Sequence, residues 1–119
     1  MLDPKARKEG GVPERAEFCV ILTTCADQAV LDRIISALLA GRLAACIQVL
    51  EVQSHYVWQG RVNHEPEHLL VIKTRSGLFA QVRDCIAAEH DYEVPEIVQL
   101  PIVDGSAAYL AWLGAVTNA

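Results

Sequence analysis

The sequence predicts an α+β sandwich of β-α-β-β-α-β order, closed by a short C-terminal helix. Three observations carry that expectation. Two runs, residues 18–22 and 69–72, are apolar on both parities, as strands covered on both faces are. Behind each comes a Ser or Asp and then a segment of 3.6-residue apolar spacing, the pattern of a capped helix. Between the two halves lies a long extended stretch that turns back at Gln59-Gly60.

The elements follow in order. Residues 1–16 are polar, with Gly10-Gly11 and two prolines, and read as a flexible tail, which leaves 17–119 as one domain. After the first strand, Asp27 is placed to cap a helix that turns Leu31, Ile34, Ile35, Leu38 and Leu39 inward, with Gly41 as its stop. From Leu43 to Trp58 the apolar positions alternate on odd numbers to Val49, then on even numbers from Leu50. That switch predicts a bulge or sharp bend near Val49-Leu50. The returning strand carries Pro66, which requires an edge or a bulge. Ser76 is expected to cap a second helix with Leu78, Phe79, Val82, Cys85 and Ile86 inward. A loop over 89–96 leads to a last strand, 97–103. Asp104-Gly105 then turns the chain, and Ser106 caps a helix bearing Tyr109, Leu110, Trp112, Leu113 and Val116.

This is the split-βαβ, ferredoxin-like pattern with a long β2-β3 hairpin. In that topology the first and third strands are central, and they are the two with doubly apolar runs. Two helices cover one face of the sheet. The other face is too apolar to be left in water, which predicts an oligomer.

Composition narrows the function. Of 119 residues 52% are apolar, so the chain is neither disordered nor low-complexity. No apolar run reaches the roughly 18 residues of a membrane span. A net charge of −5 argues against a nucleic-acid partner. The first eleven residues have basic side chains without a following apolar run, so no secretory signal is predicted and the cytoplasm is expected.

No two of the four cysteines stand at C-x-x-C spacing, which excludes a zinc ribbon or thioredoxin-type motif. Cys19, Cys46 and Cys85 lie in apolar surroundings and read as core residues. Cys25, at a strand end ahead of a helix, is the one cysteine whose position invites a lowered thiol pKa. His64-Glu65-Pro66-Glu67-His68 matches the H-E-x-x-H of zinc proteases in letters only. Pro66 forbids the helix that would join both imidazoles on one metal, and on a strand they stand about 13 Å apart. Glu51, Glu65, Glu67 and His55 read as solvated strand positions.

The loop after the second helix brings Glu89, His90, Tyr92, Glu93 and Glu96 within eight residues. Imidazole with carboxylate suits a borderline cation such as Cu²⁺ or Zn²⁺, aromatic residues with carboxylate suit a small-molecule cleft, and a polar connection is the plain alternative. Lys73, amid an apolar strand, either emerges at the strand end or is partly buried and paired, with Glu96 as a candidate. No nucleophile–base pair is legible, so no enzymatic role is expected.

Five segments share one resemblance: Leu43-Ala44-Ala45-Cys46, Ser54-His55-Tyr56-Val57-Trp58-Gln59-Gly60, Ile72-Lys73-Thr74, His90-Asp91-Tyr92-Glu93-Val94-Pro95-Glu96-Ile97 and Tyr109-Leu110-Ala111-Trp112-Leu113. In order and spacing, from about residue 18 to 116, they resemble the CutA divalent-cation tolerance family. The resemblance implies a ferredoxin-like fold in a tight homotrimer of PII-like architecture and a non-enzymatic role in divalent metal tolerance, with copper the metal most often named. It also implies metal positions at Thr23, Glu89 and His90. Only His90 keeps the family's ligand there, Thr23 is a poor copper ligand, and Cys85 is a possible substitute. The family's aromatic cleft maps onto Trp58, Lys73, Tyr92 and Glu96, all present. Two readings follow: weak Cu²⁺ or other divalent-cation binding at the His90 loop, or a sensor that takes a small anionic or aromatic ligand in an intersubunit cleft. No obligatory cofactor is implied.

Overall fold

The computed structural model describes residues 16–119. Nearly all of the expected tail, residues 1–16, therefore lies outside the described residues. Strand β1 (Phe18–Cys25) leads to helix α1 (Gln28–Ala40), and strands β2 (Cys46–Trp58) and β3 (Arg61–Arg75) form the long hairpin. A 3₁₀ turn (Ser76–Leu78) opens onto helix α2 (Phe79–Glu89), followed by strand β4 (Ile97–Pro101) and helix α3 (Ala107–Val116). The sheet is antiparallel throughout, in the order β2-β3-β1-β4, so β1 and β3 are central as their apolar runs predict.

One face of the sheet is covered by α1 and α2. Cys19, Ile21, Leu70 and Ile72 point into it and pack with Val30, Ile34, Leu38, Val82 and Ile86, all buried. Asp27 caps α1 as expected, accepting hydrogen bonds from the Ala29 and Val30 amides at 2.7 and 3.2 Å. At the other end Gly41 keeps an ordinary φ of −80°, and the left-handed residue is Arg42, with φ 55°. The Arg42 and Leu43 amides donate to the carbonyls of Leu39 and Leu38, a Schellman ending one residue beyond the expected stop. Leu39, expected inward, is exposed.

Three further expectations are corrected. No bulge interrupts the hairpin: β2 pairs with β3 in one register from Cys46 opposite Lys73 to Trp58 opposite Arg61. The apolar parity changes because Ile47 and Val49 face the helix side whereas Leu50 and Val52 face the opposite one. Ser76 makes no side-chain cap; it is buried, and its amide extends the ladder to the Glu17 carbonyl. The last strand ends at Pro101 rather than residue 103.

Gln59 and Gly60 both have positive φ, 52° and 75°, which makes the two-residue turn whose twist matches a hairpin. Because β1 pairs only with residues 68–75 of β3, the hairpin beyond that point is a two-stranded arm. Pro66 sits in the arm, where its missing N–H faces no further strand. Helix α3 lies over one end of the open sheet face. Arg75 fixes it there, donating to the Gly114 carbonyl at 2.6 Å and the Thr117 hydroxyl at 3.2 Å, while Arg42 donates to the Ala115 carbonyl. Of its five expected inward residues only Leu113 is fully buried, and the Tyr109 and Trp112 rings meet at a tilt, both half-exposed.

Candidate functional site

The tight turn at Gln59-Gly60 sets what shares a face of the arm. Its register pairs Ser54 with Glu65 and Val52 with Glu67, so side-chain alternation brings Glu65 and Glu67 to the face that carries Tyr56 and Trp58. Across from them the loop after α2 delivers Tyr92. Its hydroxyl donates to Glu67 Oε2 at 2.6 Å and approaches Glu65 Oε1 at 3.5 Å, while the Tyr56 hydroxyl donates to the same Glu65 oxygen at 2.9 Å. Glu67 is buried, an expensive place for a carboxylate that the short phenol bond compensates. Burial first, and then the Glu67 carboxylate, push the Tyr92 phenol far above its usual range, so it stays a neutral donor.

These groups wall a cavity of about 750 Å³. Glu65, Glu67, Asp91, Glu93 and Glu96 contribute carboxylates, Tyr56, Trp58 and Tyr92 contribute rings, and no Lys or Arg is among the lining residues. Such a cleft carries negative potential and favours cations. The carboxylates are spread along its walls. Among the described residues no three His, Cys, Asp or Glu side chains converge as an inner-sphere metal site requires.

His90 anchors the loop. Its imidazole is fully buried, Nε2 donates to the Thr24 carbonyl at 2.7 Å, and Nδ1 accepts from the Tyr92 amide at 3.0 Å. Both nitrogens are thereby committed, and neither lone pair points at a ligand. The Glu89 carboxylate turns to Arg33, Oε2 lying 3.4 Å from Nε. Thr23 faces the helix side of β1 opposite Leu70 and Ile97, with its buried hydroxyl lacking a hydrogen-bond partner among the described residues. Thr23, Glu89 and His90 thus supply no preformed donor set for a divalent ion. Burial raises the thiol pKa of Cys85, the possible substitute, and Cys25 departs from expectation: burial, with Asp91 and Glu67 nearby, pushes it up to about 11.

Of the four cleft residues named from sequence, Trp58, Tyr92 and Glu96 come together. Lys73 does not. It stands opposite Cys46 and Val20 on the open sheet face, about 20 Å along β3 from Glu67, and donates to Gln48 Oε1. Within one chain that position separates Lys73 from Glu96 and from the cleft walls. Glu65 and Glu67 belong to the site although they read as solvated strand positions. The signal that could have found them is the turn itself, since its register places them across from Ser54 and Val52.

The family described as "CutA1 divalent ion tolerance protein" matches residues 19–116. The chain is 42% identical over 95 residues to the "Divalent-cation tolerance protein CutA" of Thermus thermophilus, covering 79% of this chain and 92% of that one. It is 36% identical over 95 residues to "Protein CutA, chloroplastic" of Arabidopsis thaliana, but spans only about half, 52%, of that longer protein. Among solved structures, the periplasmic divalent cation tolerance protein CutA of Archaeoglobus fulgidus superposes with a TM-score of 0.81 at 33% identity, covering 83% of this chain and 97% of the other.

Proposed function

Since the chain belongs to the CutA1 divalent ion tolerance protein family, we propose that it serves divalent-cation tolerance as a non-enzymatic homotrimer that holds hydrated cations weakly in its acidic cleft. The observation that carries this reading is the lining of the cleft: five carboxylates, the rings of Tyr56, Trp58 and Tyr92, and no Lys or Arg. Spread carboxylates attract an ion together with its water shell, which gives weak, salt-sensitive retention. The committed nitrogens of His90 move the cation away from the loop position and into the cleft. Tyr92, held between the Glu67 carboxylate and the His90 ring, keeps the cleft wall in place.

The ferredoxin-like domain, residues 17–119, joins two others of PII-like arrangement through its open sheet face. Val98 and Leu100 on one edge strand and Leu50 on the other are exposed on that face, apolar surface that a monomer rarely leaves in water. No helix among the described residues is long and apolar enough to cross a membrane. The cytoplasm suits four cysteines that are all free.

A sensor function is the second reading. It is favoured by the half-exposed Trp58 and Tyr56 rings, which would stack on an organic cation held by the cleft's carboxylates.

Titration with Mn²⁺, followed by its free-ion paramagnetic signal, tests the principal reading. The expected result is weak saturable binding that fades with added salt and falls in Glu93→Gln/Glu96→Gln. Binding indifferent to that double substitution would refute the cleft as the site.

A further inference from the structure

The helix-side face of the hairpin arm carries a second group of nitrogen ligands. His55 and His64 are register partners across β2 and β3, and their rings stack with centroids 4.2 Å apart and planes within 6°. His64 Nε2 lies 2.9 Å from Gln53 Oε1. A carboxamide oxygen only accepts, so Nε2 carries the proton and Nδ1 keeps its lone pair. For His55 the stacked ring is the one interaction among the described residues, so its ring nitrogens carry no hydrogen bond. Both residues are exposed. The next imidazole on this face, His68, is engaged with Glu51 Oε2 at 2.7 Å. His90 is buried with both nitrogens committed. His68 keeps one lone pair too, but its side chain is largely buried and faces Glu51, so His55 and His64 are the two exposed imidazoles that face each other with lone pairs open.

We propose that His55 and His64 form a two-imidazole site for a borderline divalent cation, Cu²⁺ above all, on the face of the hairpin arm opposite the acidic cleft. It deepens the divalent-cation reading and rests on it for its biological sense. Cis coordination at roughly 2.0–2.1 Å per bond needs the two nitrogens about 3 Å apart. Side-chain rotation brings facing, exposed rings to that spacing without moving the backbone. Two neutral nitrogen donors select Cu²⁺ over the hard, oxygen-seeking Mg²⁺ and Ca²⁺. Gln53 acts as the outer-shell acceptor that fixes the His64 tautomer. The pair stands on the face of the arm opposite Glu65 and Glu67, so it takes its ion from solvent rather than through the cleft.

The test is a Cu²⁺ titration of the full chain in a non-coordinating buffer, read by calorimetry and by the nitrogen hyperfine pattern in electron paramagnetic resonance. The intact protein should show a two-nitrogen spectrum. His55→Gln and His64→Gln should each lose it, with affinity falling at least about tenfold, while His68→Gln retains it. Both substitutions lie on an exposed arm outside the core, so the fold survives them. A two-nitrogen spectrum that persists in both variants, or no such spectrum in the intact chain, overturns the proposal. Mn²⁺ retention in His64→Gln reads the cleft separately: Mn²⁺ binding kept while the Cu²⁺ spectrum is lost supports the pair, whichever way the Glu93→Gln/Glu96→Gln test falls.

Discussion

On one face of the sheet Ile21, Leu70 and Ile72 lie beneath α1 and α2 with no exposed surface, whereas on the other Leu50, Val98 and Leu100 keep 49, 44 and 48% of theirs. The residue types are the same, and the central strands carry them on both parities. What differs is the covering. Helices α1 and α2 belong to the chain and close one face, while α3 reaches only the end of the other, at Phe18 and Arg75. A strand records that both of its faces are meant to be dry. It does not record whether its own chain or another one keeps them so.

Three measurements break or sharpen that contrast. The largest effect is expected on the closed face, where Ile72→Ala removes a fully buried side chain and should cost about 2–5 kcal/mol in urea unfolding. A loss below about 1 kcal/mol would mean that this core collapses freely around the gap. On the open face, Leu100→Asp should leave a folded chain and abolish assembly, lowering the mass in solution to the 13.0 kDa of one chain and removing the concentration dependence of Tm. An unchanged mass would show that the chains meet elsewhere.

The smallest effect concerns Tyr92 and Cys25, whose folded pKa values are both raised. A raised pKa stabilises fully below the unfolded value and is lost as the pH climbs through the folded one. Stability should therefore hold to about pH 9, then decline, with the Cys25 part lost around pH 11. Cys25→Ala should flatten that part of the profile. A profile of unchanged shape would show that the thiol does not ionise before the protein unfolds.

Local chemistry was legible where it is short-range. The Asp27 and Ser106 caps, the Gln59-Gly60 turn and the two central strands form where their own residues dictate, because each depends on neighbours a few positions away. The supposed bulge at Val49-Leu50 shows the limit. Apolar parity does change there, but the cause is a change in which face is covered, and the backbone stays regular. Lys73 and Glu67 show the same limit in the site. Both sit on one strand, yet only Glu67 lies at the level of the Tyr92 loop, and that level is set by where α2 ends against β1.

The sequence by itself determined the α+β class, the strand order and the family, because caps, turns and apolar periodicity are written in adjacent residues. Only the tertiary structure decided that His90 spends both nitrogens on Thr24 and Tyr92, that Glu67 is buried beneath a phenol, and that His55 and His64 face each other. A residue's type states which bonds it can make. Which of them it has left over depends on the partners that folding brings to it, from Tyr92 two positions from His90 to Thr24 66 positions away.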